Sequence, residues 1–133
     1  MDAVDTIKKY FDFFNQGNNE GMISLLHEDV AHEVNQGDTR NGLPLFKEFM
    51  KHMDTCYKEN LRDITIMSSP SVKDRVSAEF IVDGTYLKTD KGLPEARNQK
   101  YSVRAGTFFE LKNGKISRIT TYYNLPQWIK AVQ

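Results

Sequence analysis

Tyr101-Ser102-Val103-Arg104-Ala105-Gly106-Thr107-Phe108-Phe109-Glu110-Leu111-Lys112-Asn113-Gly114-Lys115-Ile116-Ser117-Arg118-Ile119-Thr120-Thr121-Tyr122-Tyr123-Asn124 reads as two strands folded about one turn. Asn113-Gly114 is the strongest short hairpin signal, because a two-residue type I′ turn needs positive φ at both central positions. The flanks, 101–111 and 116–124, are rich in the β-branched and aromatic residues that suit a pleated surface. Two more strands precede them. Leu61–Met67 alternates around Ile64 and Ile66. Arg75–Leu87 is long and apolar, interrupted only at Asp83-Gly84, which could be a tight turn or a bulge in one strand. The segment 88–98 is polar and reads as a solvated connection, or as a lid. A last turn of helix starts near Pro126 and carries Trp128 and Ile129.

Towards the amino terminus the period changes. Val4, Ile7, Phe11 and Phe14 recur at helical spacing with Tyr10 beside them, and Asp2 and Gly17 offer a cap and a stop. A second helix holds Met22, Ile23, Leu25 and Leu26 and closes at His27-Glu28-Asp29. Val30–Val34 is a short strand, and 35–42 is loop chemistry. Pro44 suits a first helical turn, and Phe46, Phe49, Met50 and Met53 form the stripe of a third helix reaching about Tyr57. Helices first and strands after predict an α+β fold, with the helices on one face of the sheet.

The chain has 133 residues, enough for a single domain spanning 1–133 with a core of its own. Hydrophobic residues make up 39% and charged residues 27% of it, an ordinary globular balance. Lys and Arg number 18, as do Asp and Glu, with no basic run, so a nucleic-acid partner is not expected. No apolar stretch approaches the ~20 residues of a membrane span, and the first residues do not read as a signal peptide. Cys56 is the only cysteine and reads as a small buried hydrophobe. These features together predict a cytoplasmic protein without a membrane partner.

Three stretches carry a resemblance over nearly the whole chain. They are Tyr10-Phe11-Asp12-Phe13-Phe14-Asn15-Gln16-Gly17-Asn18 leading into 22–30, Glu33 through Arg40-Asn41-Gly42, and Phe108–Ile116. With the element order, they resemble the NTF2-like superfamily, and within it the SnoaL-like and ketosteroid-isomerase-related proteins. Thr89–Arg97 and Thr120–Leu125 add to the second likeness. The resemblance implies an NTF2-like cone: three N-terminal helices on a curved antiparallel sheet, closed around a pocket. It does not fix a reaction, since fold and function are separable.

For a ketosteroid isomerase the resemblance implies a carboxylate base and an oxyanion hole of a tyrosine and a protonated acid. Counted along this sequence, the base falls on Glu33, the tyrosine on Tyr10 and the acid on Gly106, which has no side chain to donate. Losing one oxyanion donor costs on the order of 10²–10³ in rate, so the familiar steroid chemistry is not expected. Alternation puts Glu33 with Ala31 and Asn35 on one face. That face lines the pocket, and raises the Glu33 pKa by desolvation, or else meets water.

Arg104 shares a face with Ser102, Gly106 and Phe108, the face the family turns inward. It could bind an anionic substrate or neutralise Glu33. Ile119 and Tyr123 fall on cavity-lining positions of the family, and Tyr10 is either core or pocket. The predicted site is therefore Glu33 and Tyr10 as catalytic residues, with Arg104, Asn35, Phe108, Ile119 and Tyr123 binding substrate. His27 and His32 are five apart across a helix-to-strand break, not the four that a helical zinc motif needs. His32 reads as a packed histidine and His52 as an exposed one, and no metal or cofactor is expected.

Three functions follow. The first is cofactor-free proton transfer on a small apolar carbonyl compound. The second is a non-catalytic ligand-binding or dimerising module. The third, hydrolysis through carboxylates and an arginine, lacks a second inward carboxylate. The set Tyr101, Val103, Ala105, Thr107 and Phe109, taken as outward, is too apolar for water and predicts a homodimer through the sheet.

Overall fold

The computed structural model describes residues 1–133. Helix α1 (Ala3–Gln16) begins where the Asp2 carboxylate accepts from the Asp5 amide and stops at Gly17, whose φ of 69° closes the last turn. Helix α2 (Asn19–Ser24) is capped by Asn18. Strand β1 (Leu26–Val34) and the two-residue β2 (Arg40–Asn41) follow, then helix α3 (Leu43–Cys56) with Pro44 in its first turn. Strands β3 (Tyr57–Ser68), β4 (Arg75–Tyr86), β5 (Gln99–Lys112) and β6 (Lys115–Tyr123) lead to helix α4 (Leu125–Val132). The α+β reading therefore holds. One curved, unclosed sheet of six strands runs in the order β2-β1-β6-β5-β4-β3, antiparallel throughout except for the parallel pair β1 and β6.

Three boundaries differ from the sequence reading. Leu26 to Asp29 belong to β1, not to the second helix. Leu26 pairs with Ile116, whose amide donates to the Leu25 carbonyl at 2.9 Å, so a partner about ninety residues away outweighs local helical spacing. Strand β3 starts at Tyr57, four residues before its predicted start, paired from its first residue with Tyr86. Asp83-Gly84 is neither turn nor bulge, since β4 runs through it in register with Lys100 to Ser102. The Asn113-Gly114 turn is as expected, with φ of 53° and 77°.

The larger correction concerns faces. On β5 the buried set is Tyr101, Val103, Ala105, Thr107, Phe109 and Leu111, while Ser102, Arg104 and Phe108 are exposed. On β1 Val30 and His32 are buried beneath α3, and Glu33 lies on the other side. The set expected outside thus faces the helices. Arg104 and Phe108, expected in the pocket with Glu33, stand on the opposite side of the sheet. Apolar burial decides this: turning Phe109, Ala105 and Val103 outward would leave the helices without a partner, at a cost of about 25 cal/mol per Å² of lost apolar burial.

Gly84 has a role that only packing reveals. A Cβ there would lie 2.2 Å from Cζ of Tyr101, whose ring crosses the strand at this point. Gly84→Ala is expected to destabilise by about 1–3 kcal/mol in urea unfolding, as overpacking does, although alanine ordinarily improves a strand. Adding Tyr101→Ala should remove that penalty, and additive costs of the two changes would show that no clash exists.

Candidate functional site inside the cone

The inward side chains of β3, β4 and β5 meet α4 at one end of the sheet. Tyr57 and Glu59 alternate with Lys58 on β3, pairing with Tyr86 and Gly84. The Tyr101 hydroxyl passes over Gly84 and donates to Glu59 Oε2 at 2.6 Å, so a glycine on the middle strand lets two outer strands touch. Trp128 of α4 packs edge-on against Tyr57, Tyr86 and Tyr101, with ring centroids 5.0–5.9 Å away. Tyr57 and Tyr86 stack at 5.5 Å.

Two carboxylates belong to this cluster. Burial pushes the Glu59 carboxyl above its usual range, against the Tyr101 hydrogen bond, which lowers it. The Tyr57 hydroxyl donates to Asp90 Oδ2 at 2.6 Å, and His52 Nε2 lies 3.0 Å from Asp90 Oδ1. Asp90 comes from the loop after β4, which the Tyr86 hydroxyl holds by accepting from the Asp90 amide and donating to the Pro94 carbonyl. Tyr123, at the end of β6, has its pKa raised by burial first and then by the charges of Glu59 and Asp90. Glu59, Tyr57, Asp90 and Tyr123 all keep partial access to solvent, unlike Tyr86 at 0% and Trp128 at 4%. A carboxyl group whose pKa is raised by desolvation, yet still reachable, is chemically suited to exchanging a proton.

The predicted site residues scatter. Tyr123 alone joins this cluster. Tyr10 is buried edge-on to Phe11 and Phe109, with its phenol pushed up by burial and no protein hydrogen bond to its hydroxyl. Ile119 is core at 2% exposure, paired with His32 and Phe109. Asn35 lies just past β1, where its side chain accepts from the Tyr123 amide and ties β1 to β6. Glu33 accepts from Thr39 at 2.7 Å and from Thr120 at 2.7 Å, and these bonds hold its carboxyl below the usual range. It makes no ion pair with Arg104. Arg104 is exposed, and Phe108 is 44% exposed against Tyr122. Glu33, Arg104 and Phe108 thus do not meet in a pocket.

The residues that do meet were overlooked for identifiable reasons. Tyr57 and Glu59 have the period of a strand, but they follow a helix with no punctuating residue. Tyr101 was assigned to the outer face. Asp90 sits in a polar loop, and nothing in its local sequence aims it at Tyr57.

The sequence between residues 7 and 119 matches the family described as the SnoaL-like domain. The chain belongs to the SnoaL-like family. Its fold matches that of a proposed polyketide cyclase from Silicibacter sp. TM1040, at 53% identity and a TM-score of 0.95, covering 98% of this chain and 95% of that one. A proposed polyketide cyclase from Pseudomonas putida is 43% identical with a TM-score of 0.96, covering 100% and 99%. An NTF2-like protein of unknown function from Burkholderia pseudomallei, 14% identical over 98% and 97% of the chains, shares the fold at a TM-score of 0.82. No curated protein matches the sequence. The NTF2-like cone is therefore the fold of this chain, and no helix in it is long and apolar enough to cross a membrane.

His32 gives the SnoaL-like fold a pH dependence. It is 4% exposed between Phe46 and Phe49, and its Nδ1 has no hydrogen-bond partner. Burial first, and Arg40 second, lower its pKa to about 4. The unfolded chain binds this proton below an ordinary histidine pKa of about 6.5 and the folded chain only near 4, so stability is complete above pH 6.5 and falls through that window. The loss is about 1.4 kcal/mol per pH unit at most. Chemical denaturation at pH 7 and pH 4.5 should show it, and His32→Phe should flatten the difference.

Proposed function

We propose that this SnoaL-like protein catalyses cofactor-free proton transfer beside the carbonyl of a small, largely apolar compound, with Glu59 as the acid–base group. The Tyr123 hydroxyl acts as hydrogen-bond donor to the developing oxyanion, while Tyr101 holds Glu59 and Tyr57 holds Asp90. The observation that carries this reading is the raised carboxyl of Glu59, bound by Tyr101 under an aromatic cover. Desolvation moves its pKa towards the working pH, where a base removes a carbon-bound proton and still returns it. Tyrosine hydroxyls held neutral by burial donate without competing as bases. The naming of relatives 41–53% identical as proposed polyketide cyclases supports a carbonyl substrate. An intramolecular aldol closure opens with the same step, loss of a proton beside a carbonyl.

The test is wash-in of deuterium beside the carbonyl of 2-tetralone in D₂O, followed by NMR. Wild-type protein should accelerate exchange, and Glu59→Gln should lose roughly 10²–10⁴-fold of it, the usual contribution of general acid–base catalysis. Glu33→Gln should leave it unchanged, because Glu33 is a stabilised anion on the other side of the sheet. Exchange undiminished in Glu59→Gln would end the assignment.

A homodimer through the sheet is the second part of this reading, on the face opposite the one expected. Phe108 and Tyr122 are 44% and 42% exposed in edge contact, beside Met67 and Val72 at 48% and 52%. Met67, Val72 and Phe108 line one shallow cleft of about 300 Å³. Contiguous apolar surface of this kind favours burial against a second copy. Sedimentation should give a dimer that Phe108→Ser with Tyr122→Ser dissociates, and a wild-type monomer at micromolar concentration would exclude it.

A further inference from the structure

We infer that His52, Asp90 and Tyr57 form a proton relay between solvent and the recess that holds Glu59; the inference rests on the assignment of Glu59 as the acid–base group. The three side chains come from three elements and meet at the two oxygens of Asp90. His52 projects from α3 with 48% of its side chain exposed, and Nε2 is 3.0 Å from Asp90 Oδ1. Asp90 is 21% exposed and accepts at its other oxygen from the Tyr57 hydroxyl at 2.6 Å. Tyr57 lies two residues from Glu59 on the inward face of β3. The chain thus runs from the water-exposed imidazole, through both oxygens of one carboxylate, to a phenol inside the cone.

Each link suits its place. Imidazole is the side chain best able to trade protons with water near neutrality. A carboxylate with a partner at each oxygen can receive a proton from one partner and, by turning about its Cβ–Cγ bond, deliver it to the other. Burial and the Asp90 hydrogen bond raise the Tyr57 phenol far above the neutral range, so Tyr57 stays uncharged and hands its proton on only as it receives another. Outward transfer follows the bonds present: Tyr57 gives its hydroxyl proton to Asp90 Oδ2 and takes one from the recess. The carboxyl then turns about its Cβ–Cγ bond and presents that proton to His52 Nε2 in the tautomer whose Nδ1 carries the hydrogen, the Nδ1 proton passes to water, and exchange with water restores the tautomer. One proton crosses and no group changes charge overall.

The loop carrying Asp90 is held in place for this. The Tyr86 hydroxyl accepts from the Asp90 amide at 2.9 Å and donates to Pro94 at 2.6 Å, while its ring stacks on Tyr57. The other titratable groups facing Asp90 are Cys56 from α3, Tyr86 from β4 and Tyr123 from β6, and Lys88 from the same loop lies near Cys56. A proton taken from substrate and not returned to it must leave before the next turnover, and the relay offers a path beside the partial solvent access of Glu59.

The test follows the Tyr57 hydroxyl proton by NMR exchange with water, in wild type, His52→Gln and Asp90→Asn. His52→Gln keeps a hydrogen-bond donor but cannot titrate. It should slow exchange about 10²-fold, the lower end of what a positioned acid–base group contributes, with recovery in free imidazole. Wash-in to 2-tetralone should fall in the same variants with the same recovery. Unchanged hydroxyl exchange in His52→Gln overturns the relay, even if Glu59-dependent wash-in persists. Slowed hydroxyl exchange in a protein that never labels 2-tetralone supports the relay and rejects the proposed reaction.

Discussion

The Tyr101 hydroxyl meets Glu59 only because β4 carries a glycine between them. That contact requires Tyr101 to face the helices, and β5 then carries Val103, Ala105, Thr107, Phe109 and Leu111 inward with it. The same parity turns Ser102, Arg104 and Phe108 outward. On β4 it buries Val76, Ala78, Phe80, Val82 and Tyr86, and on β6 it buries Ile119 beside Phe109. Because side chains alternate along every strand, one inward tyrosine settles the orientation of its neighbours.

The interior has two chemically different halves. Beneath α1 it is an aromatic and aliphatic core, with Phe11 edge-on to Phe80 and Phe109. Beneath α4 the aromatic residues are tyrosines and a tryptophan, and their hydroxyls end on Glu59, Asp90 and Pro94. The first half supplies stability through apolar burial. The second spends part of its burial on carboxylates, an arrangement disfavoured in a purely structural core. The outer face differs again, with Arg75, Glu110, Arg118, Thr120 and Glu33 linked across four strands. These exposed pairs add little stability each.

The face assignment shows two kinds of sequence reasoning in conflict. Motif counting in the manner of a ketosteroid isomerase put Glu33, Arg104 and Gly106 inside. Plain alternation already marked Val30, His32 and Val34, and Tyr101 to Phe109, as the more apolar faces, and the protein follows it. A binary pattern reports the free energy of burial directly, whereas a counted position assumes that every strand keeps the register of its relatives. Strand β6 does not keep a simple register, since Ser117 is inserted where Glu110 and Leu111 shift their partners.

The sequence by itself determined the element order, the Asn113-Gly114 hairpin, the helix caps at Asp2 and Asn18 and the likeness to NTF2-like proteins. The first three rest on local dihedral preference and short-range periodicity, and the likeness rests on matching motifs. It could not place Leu26 to Asp29 in a strand, because the Ile116 that pairs with Leu26 lies at the far end of the chain. Nor could it bring together Tyr57, Glu59, Asp90, Tyr101 and Trp128, drawn from two strands, a loop and a terminal helix. Only the closing of the cone sets those distances, and the charge state of Glu59 depends on how much water that closure excludes.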